Sequence, residues 1–540
     1  MHSTLRTLGL FVVLSVIASS RSANMAQAAD DGLAKRIDES VAAKAKDDGP
    51  LASNCDDPAF VRRIYLDLAG RIPSVPEALA FIQSSDANKR VALIDKLLSS
   101  ADYPRRMHDQ FHAMLMERRG DNADWSKYLL ASFEANKPWD QLAREILDPD
   151  SNYDALRGAA FFHTKRLDKV GQQETDYPGL TRDVGRLFLG MDLQCAQCHN
   201  HLFIDAYKQA DFQGLFTVYQ NTFIRTDLKF PAVGEKLMTK KQDFSSVFDK
   251  VAMSTGPRVP GGKEIDIPMF EKNQEYVTAP DRKTNFPGVP KFRPMQAIAQ
   301  DLTSASNKSF AANYVNRLWF VMMGRGLVNP LDQQHVGNPP SHPELLEQLA
   351  QAAIDVKFDT KTLLRQIALS ATYQRDAQLP SGADAPKPET YRVANEKRMT
   401  AEQIMSSVLV ATGTHEKPTE LKGEAEKNRA AFVKAFGNVP TDPEVEFSPS
   451  LKSSLFLLND TLIMDCLQSA PGNLVDRLTQ ATDAASVANE LYLSVLTRKP
   501  SAEEAADVDD YLKKNADRKQ AAVTNLAWSL LASTEFCLNH

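Results

Sequence analysis

The sequence predicts a mainly α protein: a multi-helix, two-domain array with a small irregular or β-containing insertion between the domains. Three observations carry that expectation. Apolar residues recur at helical spacing through most of the chain, as Val184, Leu187, Phe188 and Met191 do at i, i+3, i+4 and i+7. Helix punctuation accompanies them: Ser74, Pro76 and Glu77 form a capping-box pattern, and Gly190 stands where a helix should stop. Residues 226–292 break the pattern, being rich in Pro, Gly and Lys with short extended pieces such as Glu264-Ile265-Asp266-Ile267-Pro268 and Glu275-Tyr276-Val277.

Taken from its start, the chain opens with a secretory leader expected over residues 1–28. Arg6 supplies the positive charge, Leu8 to Ile17 the apolar run, and Ala26-Gln27-Ala28 the cleavage site. That run is short for a membrane span, and no later stretch is apolar for the length of one. An exported protein of the periplasm or cell envelope follows, with no membrane span after leader removal. Roughly 510 remaining residues exceed a single core, so at least two domains are expected. The formal charge of −6 becomes −8 once Arg6 and Arg21 leave with the leader, which gives no basis for a nucleic-acid partner.

Residues 29–56 read as a polar N-terminal segment, helix then loose chain, and the N-terminal helical domain is expected over 57–225. It carries His108 and His112 one turn apart, a pair read as a polar helix face before a metal site. Trp125, Tyr128, Leu129, Phe133 and Trp139 are spaced as core positions of two helices parted by Asn136-Lys137-Pro138. The C-terminal helical domain, 293–540, resumes with helices from Pro294, Phe310, a serine-capped start at Ser341, Leu363 to Tyr373 and Ala401.

One pattern occurs at both ends. Tyr65-Leu66, Arg71, Pro73-Ser74 and Glu77 recur as Tyr492-Leu493, Arg498, Pro500-Ser501 and Glu504, and Leu97 to Tyr103 is answered by Leu530 to Phe536. A packing module whose arginine ties down a helix end accounts for it without chemistry.

Chemistry is placed on Cys195-Ala196-Gln197-Cys198-His199, just beyond the helix that ends at Gly190. Two cysteines three apart with a histidine next in line have the spacing of covalent c-type haem attachment, in which the thiols take the vinyl groups and the imidazole the iron. Met253 and Met269, in loop-like settings, are candidates for a sixth ligand. Zinc held by Cys195, Cys198 and His199 or His201 is an alternative, as is a local disulfide in an oxidising compartment. No nucleophile elbow, H-E-x-x-H or phosphate loop is present, so no enzyme class is assigned.

Several blocks resemble a known pair of domains. Ile64-Tyr65-Leu66-Asp67-Leu68, Gly70-Arg71-Ile72-Pro73 and the cysteine motif resemble domain of unknown function 1549. Val315-Asn316-Arg317-Leu318-Trp319, Gly324-Arg325-Gly326-Leu327-Val328, Asn338 to Leu346 and Leu369-Ser370-x-Thr372-Tyr373 resemble domain of unknown function 1553. The resemblance implies an exported planctomycete protein associated with cytochrome c, a family without a described activity. Its motif commonly continues Asp-His-Pro-Phe-Asp, where this chain has Asn200-His201-Leu202-Phe203-Ile204-Asp205. The functional expectation is haem c on Cys195, Cys198 and His199 and electron transfer to a periplasmic redox partner or cytochrome c module. The alternative is a non-catalytic helical binding or scaffold protein in which Cys195 and Cys198 form a structural disulfide or metal site.

Overall fold

The structure is a computed structural model and describes residues 32–169, 171–379, 386–414, 422–443 and 451–539; the leader expected over 1–28 lies outside them. The chain is mainly helical, and among the described residues strands occur only as two-stranded pairs, three of them between residues 222 and 290. Among the described residues no helix is long and apolar enough to cross a membrane.

Helix Asp57–Ala69 is the joint of the molecule. Asp56 caps it by accepting from the Ala59 amide at 2.9 Å, and Gly70 ends it in the left-handed region at φ 72°. From Phe60 onward every residue is buried, because the helix serves two cores. Phe60, Val61, Ile64 and Leu68 enter the larger one, which runs from the N-terminal helix to Tyr391. Leu66, with Ile72, enters the smaller one, built from residues 399–536. Polar residues on the same helix reach across the fold. Arg62 donates to the Val495 and Phe536 carbonyls, and Arg63 to those of Tyr373 and Arg375.

The segment expected to be a polar lead-in holds a packed helix over 32–48. Leu33, Ile37 and Val41, at i, i+4 and i+8, are buried in the larger core. The Asp38 carboxylate on it accepts from the amides of Ala371 and Thr372 at 2.9 and 2.7 Å, capping a short helix more than 330 residues away. The organised fold therefore begins before Asp57.

The larger core is continuous across the insertion. Trp139 stacks on Tyr314 with centroids 5.2 Å apart and 7° between planes, and Phe188 and Phe310 flank it. The insertion contributes hairpins Thr222–Ile224 with Val233–Glu235, Gln242–Ser245 with Ala252–Thr255, and Tyr276–Thr278 with Val289–Pro290. Two local expectations differ from what is found. Ser341 bonds the neighbouring His342 instead of capping, because helix Pro343–Asp355 starts one residue later with His342 at its cap. Leu363 to Tyr373 is two helices, since Ser370 leaves helical geometry and caps Ala371–Gln374.

Candidate functional site

The helix that delivers the cysteine motif is Tyr177–Leu189, capped by Asp176 on the Gly179 amide at 2.8 Å. It stops at Gly190, whose φ of 68° suits glycine; a Cβ there would also stand 3.0 Å from the Asn313 and Gln334 side-chain oxygens. The next residues bond to the C-terminal half: the Gln334 amide donates to the Gly190 carbonyl and the Asp192 amide to that of Asp332, both at 2.9 Å. The motif is thus seated on residues 332–334 from far along the chain.

Cys195–Gln197 is a single 3₁₀ turn closed by the Cys198 and His199 amides on the Cys195 carbonyl. Ala196 is buried beneath it with Leu193, Ile204, Tyr207 and Phe212, while both thiols are exposed and free. Gln197 braces the turn, accepting from Arg182 through its side chain at 2.7 Å and from Gln213 through its carbonyl at 3.2 Å. On the outer side the Val247 amide donates to the Cys198 carbonyl, bringing the tip of hairpin 242–255 against the motif.

The two histidines differ in state. His199 Nδ1 lies 2.7 Å from the Asn200 carbonyl, which only accepts, so Nδ1 carries the proton and Nε2 the lone pair. Its ring packs on Phe248 at 4.7 Å. His201 Nδ1 accepts from the Phe203 and Ile204 amides at 3.2 and 3.1 Å, so there the proton sits on Nε2. His199 therefore presents a ligand nitrogen as it stands, whereas His201 is committed to folding its own loop.

Beside Cys195 opens a cavity of about 410 Å³, lined by Cys195, His201, Phe203, Tyr207, Gln333 and His335 among others. Tyr207 lies edge-on between His201 and His335, at 6.0 and 5.7 Å. Burial, with the neighbouring His201, lowers the His335 pKa. Phe203 is 89% exposed, Val336 82% and Phe248 67%, so apolar side chains stand in solvent on each segment around the thiols. Sequence reasoning missed His335 and Phe248; no spacing relates them to the motif, and only the fold brings them there. Met253 lies on the hairpin opposite Phe244, Met269 is 97% exposed, and neither lines the cavity. His108 and His112 stack at 5.9 Å, and His112 accepts from Trp125 Nε1 at 2.9 Å, a core arrangement. Among the described residues no group of three or more His, Cys, Asp or Glu is placed to hold a metal ion.

The motif thus presents two free, exposed thiols on one turn, followed by an imidazole whose Nδ1 is turned to its own backbone. Residues 36–223, which contain it, match the model of PSCyt2, a protein of unknown function (DUF1549), and residues 295–435 match that of PSD1, a protein of unknown function (DUF1553). The chain pairs these two domains. No curated protein and no solved structure matches it. The PSCyt2 match takes in the packed N-terminal helix from residue 36 onward, and the PSD1 match includes the 332–337 segment beside the motif. The site thus draws its motif from the PSCyt2 domain, its hairpin from the insertion and its far wall from PSD1.

Proposed function

We propose that this protein carries haem c, bound through Cys195 and Cys198 with His199 on the iron, and transfers electrons outside the cytoplasm to a redox partner. The observation that carries the reading is the state of His199. Its Nδ1–H is held by the Asn200 carbonyl, which leaves Nε2 as the ligating nitrogen beside two exposed thiols. The surroundings fit the group, since Phe203, Phe248 and Val336 offer apolar surface that a porphyrin face would cover. Held there, haem would supply a one-electron couple. The chain's own residues would hold it: the Asn200 carbonyl orients the His199 ring, and Arg182 and Gln213 fix the turn that carries the thiols. The resemblance to exported planctomycete proteins associated with cytochrome c points the same way.

The test is production in a host with haem-attachment machinery. A Soret band that survives acidified organic solvent and a mass one haem above the processed chain are expected, both lost in Cys195→Ala with Cys198→Ala. A colourless protein with a Cys195–Cys198 disulfide or stoichiometric zinc would replace the reading with a structural staple in a scaffold protein.

A further inference from the structure

A cavity of about 210 Å³ opens at the smaller core, between helices Ala401–Thr412 and Leu451–Asn459 and the strand pair Lys397–Arg398 with Leu538–Asn539. Its body is apolar. Met399, Ile404 and Leu457 are buried side chains of that core, and Phe436, Leu458 and Leu538 complete the wall. The wall is held in place, because Trp528 Nε1 donates to the Leu457 carbonyl at 3.1 Å and ties helix Leu451–Asn459 to helix Lys519–Leu531. It is also reachable from solvent, since Leu458 is 40% exposed. Apolar surface kept open to water in a fixed hollow favours a ligand that covers it.

The charge at the rim has one sign. Arg398 lines the cavity from an exposed position, and among the described residues no carboxylate pairs with its guanidinium. Its charge is felt at Cys537, another lining residue, where it works against the burial that raises the thiol. Ser454 and Thr534 add exposed hydroxyls, and no Asp or Glu is among the described residues of the wall. An accessible guanidinium without a partner offers a planar fork of N–H donors, which a carboxylate matches with two parallel bonds. Size narrows the choice further. An apolar cavity of about 150 Å³ takes benzene, so this volume suits a chain of about eight carbons. We infer that the cavity binds a medium-chain fatty acid, its alkyl chain along Ile404 and Leu457 and its carboxylate on Arg398. The site is separate from the cysteine motif and independent of haem attachment.

Calorimetric titration of the full chain tests it, with octanoate, butyrate, octanol and phosphatidylglycerol vesicles as probes. Saturable one-to-one binding of octanoate is expected, at least about tenfold tighter than butyrate, whose shorter chain covers less of the wall. Arg398→Gln should weaken octanoate at least about tenfold and leave octanol unchanged, because only the carboxylate uses the guanidinium. Its melting temperature should not move, since the exposed side chain it replaces has no ion pair among the described residues. Leu458→Trp, at a part-exposed position, should fill the cavity and abolish binding of both probes. No saturable octanoate binding, octanoate binding undiminished in either variant, or butyrate binding as tightly as octanoate would overturn the assignment. Binding of the vesicles without binding of octanoate would also overturn it and make the patch a membrane contact.

Discussion

Arg498 does in the last helical unit what Arg71 does in the first. Each guanidinium lies 5.3 Å over a tyrosine ring, Tyr492 and Tyr65, and grips the capping-box glutamate of the next helix, Glu504 and Glu77. Each also takes a second carboxylate from a distant turn, Glu535 and Asp102. The two stretches of sequence echo each other because they build the same joint twice. Arg71→Ala should cost about 2 kcal/mol and Arg498→Ala about 1 kcal/mol, since the second is more exposed, with lysine restoring only part of either. Chemical denaturation of the full chain measures both, and equal, negligible losses would deny the joint its role.

Stability should fall in two stages as pH drops. Burial pushes the His112 and His163 pKa values from 6.5 to about 4, so the unfolded chain takes up their protons first and stability is lost between those values. Burial would raise Glu77, Asp183 and Glu402, yet their arginines overcome it and hold all three at about 2. Their contribution is complete above the ordinary carboxylate range and is lost as pH falls toward 2. Glu235 opposes the first stage: burial raises it to about 7, so its contribution is lost as pH rises from 4.5 toward 7. A melting temperature unchanged from pH 7 to pH 3 would contradict these assignments.

Trp139 should be the costliest single truncation in the larger core. It stacks between Phe188 of the PSCyt2 domain and Tyr314 of the PSD1 domain, and Trp139→Ala should destabilise by about 3–5 kcal/mol. Limited proteolysis within 226–292 should then yield two fragments that co-elute in the wild type and separate in the variant. First cleavage inside 300–370 would count against this.

The two histidines of the motif should part in spectra. His199→Ala is expected to lose low-spin iron ligation while thioether attachment persists. His201→Ala is expected to keep the ligation but free the Phe203 and Ile204 amides it now accepts from, lowering the melting temperature by about 1 °C, the effect of about 1 kcal/mol in a chain of this size. The reverse pattern would move the axial role to His201.

Cys55, Cys466 and Cys537 should stay unlabelled by alkylating reagents in the native protein at pH 7. Burial raises all three thiols, Cys537 to about 11. After denaturation without reductant three thiols should react, with Cys195 and Cys198 blocked by haem; five would mean nothing is attached, and one would mean a disulfide among the three.

The sequence by itself determined the local elements. The helix ending at Gly190, the capping boxes at Ser74 and Ser501, the strand-bearing insertion and the paired domains all rest on residues within a few positions of one another. Helical periodicity, a serine three before a glutamate and a glycine at φ 68° are local physics, legible without a fold. It also marked the cysteine turn, because that donor set is contiguous. Tertiary structure decided everything that joins distant residues. Helix 32–48 looked polar because its large apolar residues facing the core are just Leu33, Ile37 and Val41, and that core is completed by residues after 293. His335 and Phe248 reach the motif through chain crossings that no spacing encodes. Arg398 and Leu538 are distant in sequence, and they line one cavity only because strand pairing sets them side by side.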